Sequence, residues 1–230
     1  MTAAQTLAAR HEEQSSRLAR ALAAAGRPAG DVRLIAVSKR HPADSIRALA
    51  ALGQADFGES YLDEALEKQA ALADLDLIWH FIGPIQSNKT RGIAEHFDWV
   101  HSVDRLRIAR RLNDQRPDHL GRLRVFLQVN IDAEASKSGV MPEALPTLLE
   151  QVGAFERLEV VGLMAIPRPG PDPAAARRAF ERLAALRDAL ATNERPLPFL
   201  SMGMSGDLEQ AVAAGATHIR VGTALFGPRA

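Results

Sequence analysis

Residues 33–53 read RLIAVSKRHPADSIRALAALG and contain one predicted strand followed by one predicted helix. The apolar run at 34–37 is typical of a buried strand, Pro42 opens the helix and Gly53 ends it. Between strand and helix lies Lys39, and lysine is among the residue types that are least often fully buried. The stretch therefore raises a question: Lys39 either reaches solvent at a strand end or places an amine at the mouth of a pocket.

The same strand-then-helix pattern occurs eight times along the chain, after an amphipathic leading helix over residues 1–26. Strands with little polar alternation, each followed by a helix, are typical of a parallel sheet covered by helices. Eight such units without a linker favour α/β architecture as a single (β/α)₈ TIM-type barrel, with an open doubly wound sheet as the alternative. The whole chain, 1–230, is expected to be one domain. The predicted strands span 33–39, 55–60, 77–83, 99–104, 122–130, 158–166, 199–204 and the first part of 218–227. The predicted helices span 42–52, 61–72, 88–96, a segment from an Asp104 N-cap to Gln115, 142–152, 173–190 and 207–214.

Composition excludes several function classes. Lys and Arg number 28 and Asp and Glu number 28, and this balance argues against a nucleic-acid or anionic-membrane surface. The absence of cysteine excludes disulfides, thiolate metal sites and cysteine nucleophiles. The histidines show no metal-ligand spacing. No apolar run is long enough for a membrane span, and charges interrupt the leading helix, so we expect a cytoplasmic protein.

Polar side chains collect where the predicted strands end, which is where barrels of this type build their active face. Strand eight ends in RVGT, Arg220 to Thr223, and a glycine, a hydroxyl and a short helix there match a common phosphate site. Ser205, after strand seven, could donate a further hydrogen bond. The alternative is a turn glycine, Gly222, with Thr223 as an ordinary N-cap.

Lys39 ends strand one, which adjoins strand eight when a barrel closes. An amine beside a phosphate site, in a chain without cysteine, suggests a carbonyl ligand held as a Schiff base. Burial in an apolar strand would lower the pKa of this lysine and free its amine. The alternative remains an ammonium group that reaches water.

Three further candidates are weaker. His80, in WHFIG, could face the ligand, although a lone histidine in an apolar strand is more often a core residue. Met164 is kept as a candidate cofactor contact, although methionine more often packs. Lys137, in the loop EASKSG, could fold inward, take the aldehyde from Lys39 by transimination and help to release it.

Six segments together resemble a known family, the pyridoxal phosphate homeostasis proteins. They occur in the same order and cover nearly the whole chain, from about residue 32 to 227. FIGPIQSNK and LSMGMSGD are the longest and most specific matches. The segments are AVSK, WHFIGPIQSNK, HSVD, QVNIDAEASKSG, GLMAIP and LSMGMSGDLEQAVAAGATHIRVGTALFG.

The resemblance implies a single barrel similar to the N-terminal domain of bacterial alanine racemase, with pyridoxal 5′-phosphate (PLP) as cofactor. By matching motifs, Lys39 would hold PLP as a Schiff base. Ser205, Gly222 and Thr223 would cup its phosphate, and Arg220 would lie near the pyridine nitrogen or the phosphate edge. An arginine there keeps the nitrogen unprotonated and weakens the ring as an electron sink.

One departure concerns Ser60, because GESY stands where the family usually reads GENY. Ser60 replaces an asparagine, which puts any contact of that amide to PLP in question. The expected function is that of a PLP carrier or buffer without catalytic turnover, with apo PLP-dependent enzymes as recipients and a monomeric state. Two alternatives are a PLP-dependent amino-acid racemase or lyase and a lysine Schiff-base aldolase. The racemase alternative would require acid–base groups on both faces of the substrate carbon.

Overall fold

The computed structural model describes residues 3–134, 138–168, 170 and 172–228. Within these ranges the strands are β1 (Arg33–Val37), β2 (Asp56–Glu59), β3 (Ile78–Phe81), β4 (Trp99–Val103), β5 (Leu123–Gln128), β6 (Leu158–Met164), β7 (Phe199–Ser201) and β8 (His218–Val221). The helices are α1 (Ala3–Ala24), α2 (Ala43–Ala50), α3 (Leu62–Ala71), α4 (Thr90–His96), α5 (Leu106–Gln115), α6 (Leu145–Gly153), α7 (Pro173–Leu190), α8 (Leu208–Ala213) and α9 (Thr223–Phe226). Short 3₁₀ turns lie at Ser87–Lys89, Asp118–Leu120 and Pro142–Ala144.

All eight strands are parallel and form a closed barrel in chain order, with β8 pairing back onto β1. The barrel predicted from the repeated units is confirmed, and the doubly wound alternative is wrong. Closure places the end of β1 beside the end of β8, since Ala36 pairs with Val221. The carboxyl ends of the strands therefore meet at one face, which we call the carboxyl-end face.

The helices cover the barrel because each presents an apolar stripe to the strands. In α5, for example, Ile108 and Leu112 lie one turn apart and are fully buried. Removing such a side chain from water contributes about 1.5–3 kcal/mol to stability. No helix among the described residues is long and apolar enough to cross a membrane.

Two local predictions differ from the structure. Asp104 does not cap α5: the helix begins at Leu106, Arg105 occupies the N-cap position, and the Asp104 carboxylate accepts a hydrogen bond from Arg105 instead. The strand predicted over 199–204 ends at Ser201, because Gly203 takes a positive φ of 93° that breaks the extended backbone. The following residues become the loop that carries Ser205.

The interior of the barrel is unusually polar for this fold, in which branched apolar residues normally dominate. His101 on β4 is within 2.7 Å of Ser201 on β7. Because β4 and β7 are not neighbours in the sheet, this contact crosses the interior. His80, His218 and Arg220 are also buried there, beside aromatic rings such as Trp99 and Phe126.

Candidate functional site

Lys39 lies at the carboxyl-end face, two residues beyond the end of β1. Its neighbour Ser38 is completely buried, Lys39 is half-buried, and Arg40 is exposed. Arg40 has a φ of 62°, a left-handed conformation that a non-glycine residue adopts only when its surroundings hold it there. The chain therefore turns sharply just after Lys39, at the carboxyl-end face.

A largely buried cluster of charged and polar groups, which we call the lysine cluster, contacts the backbone of this turn. It consists of Lys68 on α3, Glu59 at the end of β2, Glu64 and Ser38. The Lys68 ammonium donates to Glu59 at 2.7 Å, to Glu64 at 2.6 Å and to the Ser38 carbonyl at 2.8 Å. The Ser38 hydroxyl donates to the same Glu59 oxygen at 2.7 Å. The cluster therefore ties the end of β1 to β2 and α3.

The lysine cluster anchors the backbone on both sides of Lys39. On one side Lys68 and Glu59 bind Ser38, and on the other the Glu64 carboxylate accepts a hydrogen bond from the Arg40 amide. Burial raises the pKa of Glu59, and the bonds from Lys68 and Ser38 offset only part of that effect. The position of the Lys39 backbone thus depends on a fully buried charge pair.

Sequence reasoning missed Lys68, although a signal for it was present. Glu59 ends an otherwise apolar strand and needs a cationic partner if it is buried. Glu64 and Lys68 stand four residues apart on the next helix, so their side chains share a face. These two observations together point to an ion cluster behind β2.

Ser205 lies in the loop after β7, and Gly222 and Thr223 follow the neighbouring strand β8. Gly222 precedes Thr223, the first residue of α9, so Gly222 and not Thr223 occupies the N-cap position. A Cβ atom on Gly222 would lie 3.5 Å from Val37, which places this glycine against the strand that leads to Lys39. The turn that carries Lys39 and the predicted phosphate site therefore follow neighbouring strands on one face.

The leading helix α1 braces both loops of the predicted phosphate site from outside. Arg17 donates to the Ser205 carbonyl at 2.7 Å and forms a bidentate salt bridge with Glu209 on α8. Arg10 donates to the Phe226 carbonyl at the end of α9, at 3.0 Å. Sequence analysis treated α1 only as a leading helix, but it supports the site.

Arg220 points into the barrel, where its side chain is buried. Its guanidinium donates to the Ser201 hydroxyl at 2.6 Å and to the Ala165 carbonyl at 3.2 Å. Within the described part of the chain no carboxylate forms an ion pair with it. Burial lowers the pKa of Arg220 to about 10, so the group stays charged at neutral pH. Two of its five N–H donors are used in these bonds.

The remaining sequence candidates lie at different depths. Ser60 follows β2 at the carboxyl-end face, where β3 comes so close that a Cβ on Gly83 would lie 2.2 Å from the Ser60 carbonyl oxygen. Met164 ends β6 and is fully buried. His80 is buried in the barrel and bonded to Asp56 and His101, below the face. Lys137 lies outside the described residues.

A cavity of about 510 Å³ opens at the opposite end of the barrel, where β5 and β6 begin. Its lining includes Arg122, Arg124, Glu159 and Arg195, and none of the predicted site residues. No group of three metal-ligating side chains occurs within the part of the chain that the structure describes. The predicted site residues of the carboxyl-end face offer an amine, hydroxyls, backbone amides and a guanidinium.

A family model described as the N-terminal domain of alanine racemase matches residues 14–230. The chain belongs to this family. Alanine racemase from Corynebacterium glutamicum has the same fold, with a TM-score of 0.66 and 19% identity over 94% of this chain and 61% of that one. At this identity the likeness concerns the fold alone.

The pyridoxal phosphate homeostasis protein of Pseudomonas aeruginosa is 57% identical over 97% of this chain and 96% of its own. The protein of that name from Escherichia coli is 46% identical over 89% and 88%. PipY from Synechococcus elongatus, solved with PLP bound, has a TM-score of 0.80 and 41% identity over 91% of this chain and 100% of its own. The family resemblance stated from the sequence is confirmed.

Proposed function

We propose that this protein binds pyridoxal 5′-phosphate at the carboxyl-end face and takes part in PLP homeostasis as a carrier or buffer. PLP offers an aldehyde, a phosphate dianion and a ring nitrogen that accepts a hydrogen bond. The described residues of the face fit this combination: a half-buried lysine, hydroxyls and backbone amides in the loops after β7 and β8, and an arginine that no carboxylate contacts. The names given to the close relatives describe homeostasis and not a reaction.

One observation carries this proposal: Gly222 packs against Val37, next to the turn that holds Lys39. A phosphorylated aldehyde whose phosphate binds at Gly222 would then lie beside the turn that holds Lys39. The Lys39 amine would condense with the aldehyde carbon, forming a C=N bond and releasing one water. Lysine amines react in this way when desolvation frees them from protonation. The bond is reversible by hydrolysis, as a carrier requires.

The other residues divide between the two ends of the ligand. Ser205, Gly222 and Thr223 would bind the phosphate through a hydroxyl and through backbone amides, since the first N–H groups of α9 have no intrahelical acceptor. Arg220 would donate to the ring nitrogen or to the phosphate edge. Ser60 is proposed as a contact at the rim.

His80 and Met164 have a different place in the proposal. His80 would support the site from inside the barrel and would not bind PLP through its ring nitrogens, because both nitrogens are bonded to Asp56 and His101. Met164 would form part of the floor, since it is fully buried at the end of β6. The transfer role suggested for Lys137 stays a prediction.

The proposal includes a monomer in the cytoplasm that passes PLP to apo forms of PLP-dependent enzymes. We propose no catalytic turnover, because the names of the close relatives describe homeostasis and not a reaction. The racemase alternative would require an acid–base group on each face of the substrate carbon. Turnover measured on a panel of amino acids at PLP saturation tests this part. Activity above that of free PLP would replace the carrier with the racemase or lyase alternative.

The first test is the near-ultraviolet and visible absorption spectrum after PLP is added and the excess removed. Wild type is compared with Lys39→Ala and with Lys89→Ala, in which an exposed lysine paired with Asp63 is lost instead. We expect a yellow Schiff-base band in wild type and Lys89→Ala, and none in Lys39→Ala.

The other outcomes of this test are equally informative. A band that survives in Lys39→Ala would move the attachment to another lysine, with Lys137 the next to substitute. No band in any of the three proteins would overturn the proposed Schiff base. Borohydride trapping that occurs only with an added sugar phosphate would then favour the aldolase alternative.

A further inference from the structure

A continuous chain of side-chain hydrogen bonds runs through the barrel from Arg220 to the amino end of β2. Each link is 3.0 Å or shorter, and each joins residues from two different strands. The links are Arg220 Nη1 to Ser201 Oγ (2.6 Å), Ser201 Oγ to His101 Nδ1 (2.7 Å), His101 Nε2 to His80 Nδ1 (3.0 Å) and His80 Nε2 to Asp56 Oδ1 (2.9 Å). Asp56 also accepts from Arg33 at 2.8 Å. We call Ser201, His101, His80 and Asp56 the histidine relay.

The charges at its two ends give the relay one direction. Arg220 can only donate, so Ser201 accepts from it and turns its own hydroxyl proton toward Nδ1 of His101. His101 then carries its proton on Nε2 and donates to Nδ1 of His80. His80 in turn carries its proton on Nε2 and donates to the Asp56 carboxylate. Every link then has one donor and one acceptor.

The reverse direction fails with neutral imidazoles. If His101 donated from Nδ1 to Ser201, its Nε2 would accept from His80, and His80 would face the Asp56 carboxylate with a bare nitrogen. Two acceptors would then meet at 2.9 Å. An added proton could relieve this conflict, but burial lowers the pKa of both His80 and His101, the latter strongly. The relay is therefore directed from Arg220 to Asp56.

Asp56 is the fixed end of the relay. Burial acts to raise the pKa of Asp56, but hydrogen bonds from His80 and Arg33 outweigh it and hold the pKa below its ordinary value. The carboxylate thus stays charged and keeps the Nε2 proton of His80 in place. The charged and titratable groups nearest the two histidines also include His218 and Asp98.

We propose that the histidine relay positions Arg220: anchored on Asp56, it keeps the Ser201 hydroxyl proton on the His101 side, so that the oxygen presents a lone pair to the guanidinium and fixes it in one orientation. With two of its N–H groups bonded to Ser201 and to the Ala165 carbonyl, the guanidinium keeps its other N–H donors for the ligand. Ser201, His101 and His80 are therefore positioning residues. This inference rests on the proposed function, because it concerns the arginine assigned to the ring nitrogen or phosphate edge of PLP.

The use of polar residues here has a physical reason. Histidine, serine and arginine in a barrel interior are expensive to bury, and apolar residues of similar volume are often as stabilising or more so. An apolar interior could not hold the Arg220 guanidinium in one orientation, because it would offer no hydrogen-bond acceptor. A guanidinium held in advance loses less entropy when its ligand binds, which strengthens binding without any new contact.

The test uses Asp56→Asn, which removes the charge at the far end of the relay while keeping the shape of the side chain. Asp98→Asn is the matched control: Asp98 lies near His80, but its carboxylate accepts from the Trp79 amide and is not part of the relay. Ser201→Ala removes the direct contact to Arg220. All three are compared with wild type, and thermal unfolding verifies that each variant is folded.

The first readout needs no PLP. In ¹⁵N-labelled ligand-free protein at neutral pH, the ring nitrogens of His80 and His101 should report two neutral Nε2–H tautomers in wild type and Asp98→Asn. Asp56→Asn should show mixed tautomers. The side-chain nitrogens of Arg220 should give separate, slowly exchanging signals in wild type and averaged signals in Ser201→Ala. Unchanged histidine signals in Asp56→Asn, or unchanged Arg220 signals in Ser201→Ala, would overturn the relay.

The second readout is the dissociation constant of PLP from absorption titration. We expect Asp56→Asn and Ser201→Ala to weaken binding about three- to tenfold, the range expected for one lost hydrogen bond, and Asp98→Asn to leave it unchanged. Equal affinity in wild type and Asp56→Asn would contradict the transmission to Arg220. Failure of wild type to bind PLP would overturn the proposed function instead, and the nitrogen signals would still decide the relay.

Discussion

Lys68 and Arg220 are both buried cations at the barrel wall, but they are compensated in opposite ways. Lys68 contacts two carboxylates, Glu59 and Glu64, at 2.7 and 2.6 Å. Arg220 contacts only the neutral oxygens of Ser201 and Ala165. A cation that contacts carboxylates serves the structure, whereas a guanidinium that contacts only neutral oxygens, and is attracted by Asp207 without touching it, can still bind an anionic or electron-rich ligand.

This difference maps onto the two sides of the proposed site. The lysine cluster fixes the backbone on either side of Lys39, and its one cation, Lys68, is already compensated by two carboxylates. Arg220 keeps its charge, because a pKa of about 10 still leaves it protonated at neutral pH. We infer that the Lys39 side of the site is rigid by ion pairing and that the Arg220 side is set by the histidine relay.

The largest expected effect separates these two cations directly. Lys68→Met leaves two carboxylates without their buried partner and should lower the free energy of unfolding by about 3–5 kcal/mol. Arg220→Met leaves only neutral acceptors unpaired and should lower it by less than about 2 kcal/mol. Urea unfolding of both variants measures this.

Lys89→Ala, which removes an exposed ion pair with Asp63, serves as the control and should cost less than about 1 kcal/mol. Equal losses in Lys68→Met and Arg220→Met would mean that the two cations are equivalent supports of the fold. The contrast drawn above would then be wrong.

A smaller effect concerns His218, a neutral histidine of the barrel interior whose Nε2 has no hydrogen-bond partner among the described residues. Burial lowers its pKa from 6.5 to about 3. Below pH 6.5 this histidine is therefore protonated in the unfolded chain but stays neutral in the folded protein. The free energy of unfolding falls as the pH falls from 6.5 toward 3. One such group contributes about 1.4 kcal/mol per pH unit within that window.

His218→Gln should reduce the slope of unfolding free energy against pH by this amount between about pH 6 and 4. The exposed His119→Gln should leave the slope as in wild type. Urea titrations at several pH values provide the measurement. An unchanged slope in His218→Gln would show that this imidazole is already protonated in the folded protein.

The smallest expected effect concerns Arg17, a cation on the outside of the site. Arg17→Ala removes the hydrogen bond to the Ser205 carbonyl and should weaken PLP binding about threefold. The free energy of unfolding, measured in urea, should fall by about 1 kcal/mol. Arg20→Ala on the same helix, at an exposed position, is the control and should match wild type. If Arg17→Ala bound PLP as tightly as wild type, α1 would support the fold but not the site.

Much of this arrangement was predictable from the sequence. The apolar strands and the helices between them predicted the barrel, and barrel closure then predicted that Lys39 would lie beside Gly222 and Thr223. Strand and helix periodicities are local properties, which is why one chain suffices to predict them. The errors came at boundaries, such as the Asp104 cap and the end of β7, where side-chain partners and a positive φ decide the outcome.

The sequence by itself determined the eight strand–helix units, the polar residues at the strand ends and, through its motifs, the family. Only the tertiary structure decided that Arg220 faces inward, that Lys68 reaches Glu59, and that His101 meets Ser201 across the barrel. These contacts join residues far apart in the chain, and a shift of one residue in register turns a side chain to the other face of a strand. Strand closure fixes that register, and with it which buried charges find partners.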